Sequence, residues 1–435
     1  MTNSAPLNIA LIGFGTVGSG VARILDTQAA AIASRAGREI RIRRVVVRDA
    51  SKPRPFLPAG VNVTTDIAEV VNDPDIQLVA QLVGGVDPAY GYMKQFLAAG
   101  KDIVTANKAL IYTHGAELFQ LAAEQGRTIG FEAAVAGGIP IISAVTQALT
   151  GNRILSLEAI LNGTSNFILT RMLDDKHSYG DVLKEAQALG YAEADPAMDV
   201  DGTDAAQKLV ILTRLAFSTS VALNDFVRQG IDNLELLDLQ VADDLGYKIK
   251  LLATARLNDG RLELSVQPTL IRKDRAIAQT SGANNIVAVE GDAVGMVTFS
   301  GAGAGQLPTA SAVMADLIDY ATGRTAVTFQ SILRSAQQPS LPIQSPDELT
   351  RRYYLRLNVD DRPHVLADIT DVLGRNEISI SSVRQDETPE DRADGDARLV
   401  IMTHRTNEGR FRAADAELEK LACLRGTSIR LPVAE

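Results

Sequence analysis

Five carboxylates and a lysine crowd into Gly190-Tyr191-Ala-Glu193-Ala-Asp195-Pro196-Ala-Met-Asp199-Val-Asp201-Gly-Thr-Asp204-Ala-Ala-Gln-Lys208. Placed acids can hold a substrate ammonium, and a lysine beside them can donate a proton. Asp204 and Lys208 are four residues apart, so a helix sets both on one face. Asp195-Pro196 fixes the local turn geometry, which suits a site that needs placed carboxylates. The same residues also suit a surface ion pair and an acid-rich helix start, worth roughly a few tenths of a kcal/mol.

A second lysine, Lys108, comes just past the apolar run Asp102 to Thr105, in Thr105-Ala-Asn107-Lys108. The carboxyl ends of parallel strands form the ligand crevice of an open sheet. Lys108 is thus either a crevice residue or a solvated loop residue. Glu132 precedes the turn-rich stretch Val135-Ala-Gly137-Gly138-Ile139-Pro140. A carboxylate beside such a backbone can offer several oxygens to a hard cation; the alternative is a domain hinge with an incidental acid. His114, His177, His364 and His404 all lie outside the acidic cluster, and Cys423 is the single cysteine. That disfavours a histidine acid, a thiol-dependent aldehyde oxidation and a zinc alcohol dehydrogenase.

The elements that must position these groups start at the N-terminus. A short apolar run ends in Gly13-Phe14-Gly15-Thr16-Val17-Gly18, and a helical pattern follows. A strand, a tight glycine turn and a helix N-terminus hold a dinucleotide pyrophosphate. Gly13 permits the turn, Gly15 lets the backbone approach the phosphates, and Gly18 allows close helix–strand packing. Further strand-like runs are Ile40 to Val47, Ile76 to Val83 and Asp102 to Thr105, with helical stretches such as Pro88 to Ala99 between them. This alternation is that of a Rossmann-type parallel sheet covered by helices. Arg48-Asp49 follows the second strand, with Lys52 nearby. An acid there favours a free ribose 2′-hydroxyl and an arginine a 2′-phosphate. Arg48 and Lys52 tilt the choice to NADP(H), with NAD(H) left open.

The middle of the chain reads as an α+β catalytic domain. Ser156 to Leu161 and Leu262 to Thr269 resemble strands; Thr203 to Leu215 and Leu237 to Thr254 read as long helices. Gly301-Ala-Gly-Ala-Gly305 introduces a helical run, Thr309 to Tyr320. Gln337 to Pro346 has linker composition. Beyond it the order is β-α-β-β-α-β, the ferredoxin-like unit: Tyr353 to Val359, His364 to Arg375, Ile378 to Val383, Arg398 to Thr403, Phe411 to Leu421 and Thr427 to Leu431. Thr388 to Asp396 is polar and reads as a mobile loop.

At 435 residues the chain has room for two to three domains. Hydrophobic residues are 46%, and 43 basic against 53 acidic side chains give a net charge of −10. That balance argues against nucleic acid or an anionic membrane as the main partner. No apolar run reaches spanning length and no signal-peptide pattern opens the chain, so a cytoplasmic protein is expected.

Nearly the whole sequence resembles the homoserine dehydrogenases that carry a C-terminal ACT domain. The resemblance rests on Gly190-Tyr191-Ala-Glu193-Ala-Asp195-Pro196 running on to Lys208, on Leu161-Asn-Gly-Thr164-Ser-Asn166, and on Gly303-Ala-Gly305-Gln-Leu-Pro-Thr-Ala-Ser311. It implies NAD(P)-dependent interconversion of L-homoserine and L-aspartate 4-semialdehyde, on the route to threonine and methionine. It also implies Lys208 as proton donor or acceptor, with Lys108 assisting at the reacting oxygen and near the nicotinamide. Glu193, Asp204 and Asp199, with Tyr191, Gly163 and Thr164, match substrate-pocket positions. Glu132 and the backbone of Val135, Gly137 and Ile139 match a sodium site, and Gly305 a late cofactor contact.

The tail resembles an ACT domain through Asp361-Arg-Pro363-His364-Val-Leu366-Ala367, with His364 where the family usually has Gly. Threonine as effector and a homo-oligomer are implied. The expected divisions are a dinucleotide domain over 1–140 with 305–335 returning to it, a substrate domain over 141–304, a linker over 336–350 and a regulatory domain over 351–435. Two other readings remain open: a non-catalytic amino-acid sensor, and an NADP-linked reductase of another small amino-acid aldehyde.

Overall fold

Six short strands make one parallel sheet: β1 (Leu7–Ile12), β2 (Ile40–Val46), β3 (Asn62–Thr64), β4 (Leu78–Gln81), β5 (Asp102–Thr105) and β6 (Ile129–Gly130), in the order β3-β2-β1-β4-β5-β6. They belong to a computed structural model that describes residues 5–385 and 396–434. β4 and β5 are buried along their whole length, as parallel strands covered on both faces must be. Helices Thr16–Ala36, Ala89–Ala98 and Lys108–Glu124 alternate with the strands. The order reverses between β1 and β4, and ligands bind beyond the carboxyl ends of strands at such a switch point.

The chain divides into two units. The first takes the chain up to Leu155, then Gln207–Val221 and Asn284–Leu341. Its core joins Leu7, Ile9 and Leu11 to Val21 and Leu25 from one helix and to Val313 and Leu317 from another. Each such side chain contributes roughly 1.5–3 kcal/mol on burial. That second helix, Gln306–Ala321, packs on Thr16–Ala36 at Gly20. A Cβ at Gly20 would stand 2.8 Å from the Gln306 carbonyl oxygen. Gln306 Nε2 also donates to Ser19 Oγ at 3.0 Å.

The second unit takes Ser156–Ala206, Ala222–Ala283 and the chain from Pro342 onward. Strand Tyr247–Asn258 pairs antiparallel with Arg261–Arg272 over its full length, and with Ser156–Ala159 on its other edge. The expected helix Leu237 to Thr254 is corrected here. It ends at Asp244, Gly246 turns the chain at φ +88, and the rest is strand. Residues Ile249 to Ala255 are buried on both faces, so an apolar run there fits either period. The deciding signal was Asp259-Gly260. Both have positive φ, +47 and +78, as a two-residue hairpin turn requires.

The ferredoxin-like order is present as read: Thr350–Asp360, helix Val365–Arg375, Ile380–Gln385, Asp396–Thr403, helix Glu408–Leu418 and Ile429–Ala434. Most of the expected loop Thr388 to Asp396 lies outside the described residues. Strand Ile429–Ala434 pairs with Thr350–Asp360 on one side and with Leu270 and Ile271 on the other, so one sheet runs from the catalytic strands into the tail. The segment with linker composition is bonded to the same sheet: Leu262 N donates to Pro342 O, and Gln344 N to Leu262 O. These bonds explain why residues 342–435 fall in one unit with the catalytic strands, where the sequence suggested a boundary.

Candidate active site

The glycine turn after β1 has the form the sequence required. Gly13 has φ +99, and a Cβ there would sit 3.2 Å from the Leu82 carbonyl carbon at the end of β4. A Cβ on Gly18 would stand 2.5 Å from Gly13 O. Gly15 precedes helix Thr16–Ala36 and has open space on its Cβ side. Backbone N–H groups at an open helix start, with no acidic side chain in the first turn, favour a phosphate. The residues present therefore fit a dinucleotide pyrophosphate. Phe14, Thr16 and Val17 belong to the same turn.

Past β2, Arg48 and Asp49 are exposed. Asp49 Oδ1 accepts from the Ser51 amide at 3.0 Å and the Ser51 hydroxyl at 2.6 Å. The Ser51 hydroxyl and then its amide draw the Asp49 carboxyl below its ordinary range. One oxygen of the Asp49 carboxylate is thus bonded within its own turn, beside an exposed Arg48.

Lys108 is the first residue of helix Lys108–Glu124 and is half-buried. Its position is set by Asn107, which the sequence reading did not single out. Asn107 Oδ1 accepts from Leu110 N at 3.0 Å, and its Nδ2 donates to Val83 O at 2.9 Å and Gly85 O at 2.6 Å. One side chain caps the helix and ties it to the chain leaving β4. An Asn at a strand end before a helix is an N-cap signal.

The acidic cluster separates into distinct jobs. Asp201 Oδ1 accepts from Thr203 N at 2.7 Å, and its Oδ2 pairs with Arg228 at 2.9 Å. Burial pushes its carboxyl up, but Thr203 and Arg228 outweigh that and hold it below its ordinary range. Asp195 Oδ1 accepts from Ala197 N at 3.2 Å. Both are local structural caps. Asp199 and Asp204 are drawn together by Asn162, whose Nδ2 donates to Asp199 Oδ1 at 2.8 Å and to Asp204 Oδ2 at 2.9 Å. Asn162 Oδ1 accepts from Ser165 N at 2.7 Å and so caps helix Gly163–Asp175.

Other expected pocket residues gather on this helix start. Thr164 Oγ1 donates to Tyr191 O at 2.6 Å, and the Tyr191 ring lies 4.8 Å from that of Phe167. A Cβ on Gly163 would meet Ala283 O at 2.6 Å. Glu193 is exposed, and its backbone carbonyl accepts from Gln187 Nε2 at 3.2 Å. Lys208 is half-buried on helix Thr203–Phe217, one turn beyond Asp204.

Glu132 is buried, and its two oxygens accept from the amides of Ile142 and Ser143 at 2.8 and 2.7 Å. Burial first of all pushes its carboxyl up. Ala136 and Gly137 are consecutive left-handed residues, φ +56 and +49, in a turn whose Val135 and Ile139 are buried. Glu132 thus lies a few residues before the turn through Val135, Gly137 and Ile139, with both of its oxygens engaged by backbone amides. A carboxylate oxygen has a second lone pair to spare. Ile139 O accepts from Ile141 N at 2.8 Å. Gly137 lies against Gly303, and Gly305, at φ +121, begins helix Gln306–Ala321.

Such a construction defines a Rossmann-type dehydrogenase with an α+β catalytic sheet and a ferredoxin-like tail. Comparison with known proteins gives the family. Models described as homoserine dehydrogenase, NAD binding domain, and homoserine dehydrogenase match residues 13–132 and 140–318, and an ACT domain model matches 353–423. The chain belongs to the homoserine dehydrogenase family. It is 43% identical to the homoserine dehydrogenase of Pseudomonas aeruginosa, covering 99% of each chain. A crystal structure of a homoserine dehydrogenase from Thiobacillus denitrificans matches with a TM-score of 0.91 and 44% identity, again over 99% of both chains. A hyperthermophilic archaeal homoserine dehydrogenase in complex with NADPH matches with a TM-score of 0.62 and 27% identity, over 72% of this chain and 97% of that one.

Proposed function

We propose that this chain interconverts L-homoserine and L-aspartate 4-semialdehyde, with the Asn162 clamp on Asp199 and Asp204 as the observation that carries the reading. Two oriented carboxylates suit the ammonium of an amino-acid substrate. One turn along the same helix, Lys208 takes the proton from the substrate hydroxyl during oxidation and returns it to the carbonyl oxygen during reduction. Lys108 supplies a second positive charge toward that oxygen. Glu193, Tyr191, Gly163 and Thr164 complete the pocket by resemblance to the family. The nicotinamide dinucleotide, when bound, takes or gives the hydride; the Gly13–Gly18 turn and Gly305 hold it.

NADP(H) is the preferred form in this reading. Support comes from the exposed Arg48 and from the bonding of one Asp49 oxygen to Ser51. Arg48→Ala should then weaken NADP(H) more than NAD(H), since a charge-assisted bond to the 2′-phosphate is lost. A sodium ion at Glu132 and the Val135–Ile139 carbonyls would stiffen that turn, and turnover should respond to sodium less in Glu132→Ala. Among the described residues no helix is long and apolar enough to cross a membrane. We place the enzyme in the cytoplasm as a homo-oligomer, with threonine acting at the ACT domain.

The central test is Lys208→Ala assayed with L-homoserine. Turnover should fall about 10²-fold or more, the usual contribution of a placed general acid–base group, with the circular dichroism spectrum unchanged. Near-normal turnover in that folded variant removes Lys208 from the reaction.

A further inference from the structure

A cavity of about 500 Å³ opens in the first unit, away from the glycine turn. Its walls come from the last turns of helices Thr203–Phe217 and Arg324–Ser335, and from helix Lys108–Glu124. Thr146, Ser218 and Ser335 contribute hydroxyls to it, Phe119 and Ile332 an apolar wall, and Arg214 the positive charge. The Arg214 guanidinium lies against Gly115, where a Cβ would come within 3.2 Å of Nη1.

Arg214 is more than half withdrawn from solvent, yet no carboxylate within ion-pair distance and no hydrogen-bond acceptor is recorded for it among the described residues. Its Nε is buried without a partner. Burial alone draws the guanidinium below its ordinary pKa. A desolvated cation without a counter-charge is costly. Its place in the last turn complements the helix dipole, but that contribution is smaller than the desolvation cost. A guanidinium presents a planar fork of donors that matches a carboxylate.

We propose that this cavity is a binding site for a small aliphatic carboxylate, with Arg214 receiving the carboxylate group and Phe119 and Ile332 the hydrocarbon part. The hydroxyls of Ser218 and Ser335, which already share a hydrogen bond, can turn a donor toward the second oxygen. The mixed lining of one cation, several hydroxyls and an apolar wall is that of an orienting small-molecule pocket. Nothing in this assignment depends on the reaction at Lys208.

The test is isothermal titration calorimetry on the full chain, with sodium hexanoate, hexan-1-ol and inorganic phosphate as separate probes. Hexanoate should bind saturably to the wild type and about 10-fold or more weaker to Arg214→Met, because a charge-assisted pair is lost. Hexanol should bind much more weakly than hexanoate. Equal binding of hexanoate and hexanol, or of hexanoate to both proteins, would overturn the site. Binding of phosphate without hexanoate would overturn the ligand class. A second measurement separates a structural role. The ligand-free Arg214→Met variant should melt at or above the wild-type temperature, since it sheds an uncompensated charge; a clear fall would mean that the guanidinium serves the fold, and the proposal would fail.

Discussion

Asn162 and Asp204 are joined by a 2.9 Å hydrogen bond from amide to carboxylate, and the same Asn162 nitrogen holds Asp199 at 2.8 Å. The other end of that amide caps the helix carrying Gly163 and Thr164. One side chain therefore registers two carboxylates against the start of a helix. Asn162→Asp keeps the size and the capping oxygen but replaces two donors with a third negative charge. Losing two charge-assisted bonds, each worth about 1.5–3 kcal/mol, should lower kcat/KM for L-homoserine by about 10²-fold or more. Wild-type turnover in a folded Asn162→Asp protein would remove the clamp from the site.

Asp238 and Arg356 form an ion pair in the second unit, with Arg356 Nε 2.7 Å from Asp238 Oδ1 and both side chains almost wholly buried. Tyr354 donates to the same Asp238 oxygen at 2.9 Å. Removing one partner of a buried pair typically costs about 3–5 kcal/mol. Arg356→Met should lose that much in urea unfolding, and Arg356→Met with Asp238→Leu should recover much of it. A chain ending near Pro346 would strip both Tyr354 and Arg356 from Asp238, and the strand Ile429–Ala434 from Leu270 and Ile271. Such a chain should be poorly soluble, although a linker over 336–350 and a separate regulatory domain over 351–435 would predict a tail that can be removed. A soluble truncated chain with the wild-type melting temperature would restore that expectation.

Lys250 donates from Nζ to Asn166 Oδ1 at 2.9 Å and to Thr280 O at 2.7 Å. Burial, and to a smaller degree Lys248, draws its pKa down to about 8. An unfolded lysine titrates near about 10.4. Between those two values the unfolded chain binds more protons, so this residue makes stability rise with pH. The stability of the wild type relative to Lys250→Met should climb by roughly 1 kcal/mol per pH unit across that window. A constant difference between pH 7 and pH 10 would show that Lys250 does not titrate there.

His364 precedes helix Val365–Arg375 with φ +77. A side chain in that left-handed region costs about 1 kcal/mol or more that glycine avoids. His364→Gly should therefore raise the stability of the chain by about that amount in urea unfolding. An unchanged or lower stability would mean that the imidazole has a compensating role.

The glycine turn, the alternation of strands and helices up to Lys108, and the β-α-β-β-α-β tail are all legible in the amino-acid order alone. Each of these is encoded locally, by a period or by a residue whose backbone freedom the turn demands. The same order places Asp204 one helical turn from Lys208, because helix spacing is a local property. Strand β3 is three residues long and half-exposed, too short to show a period. Tyr247–Asn258 is ambiguous in sequence because a run buried on both faces fits helix and strand equally. Which carboxylates share a hydrogen-bond partner follows from packing between segments far apart in the chain. Asp199, Asp201 and Asp204 are alike in sequence, and the difference lies in Asn162 and Arg228, which are remote along the chain. The joining of the tail to the catalytic strands was equally out of reach. It depends on Ile429–Ala434 finding Leu270 and Ile271 across more than 150 residues of chain, and on a buried pair whose two charges look like surface residues until they are packed.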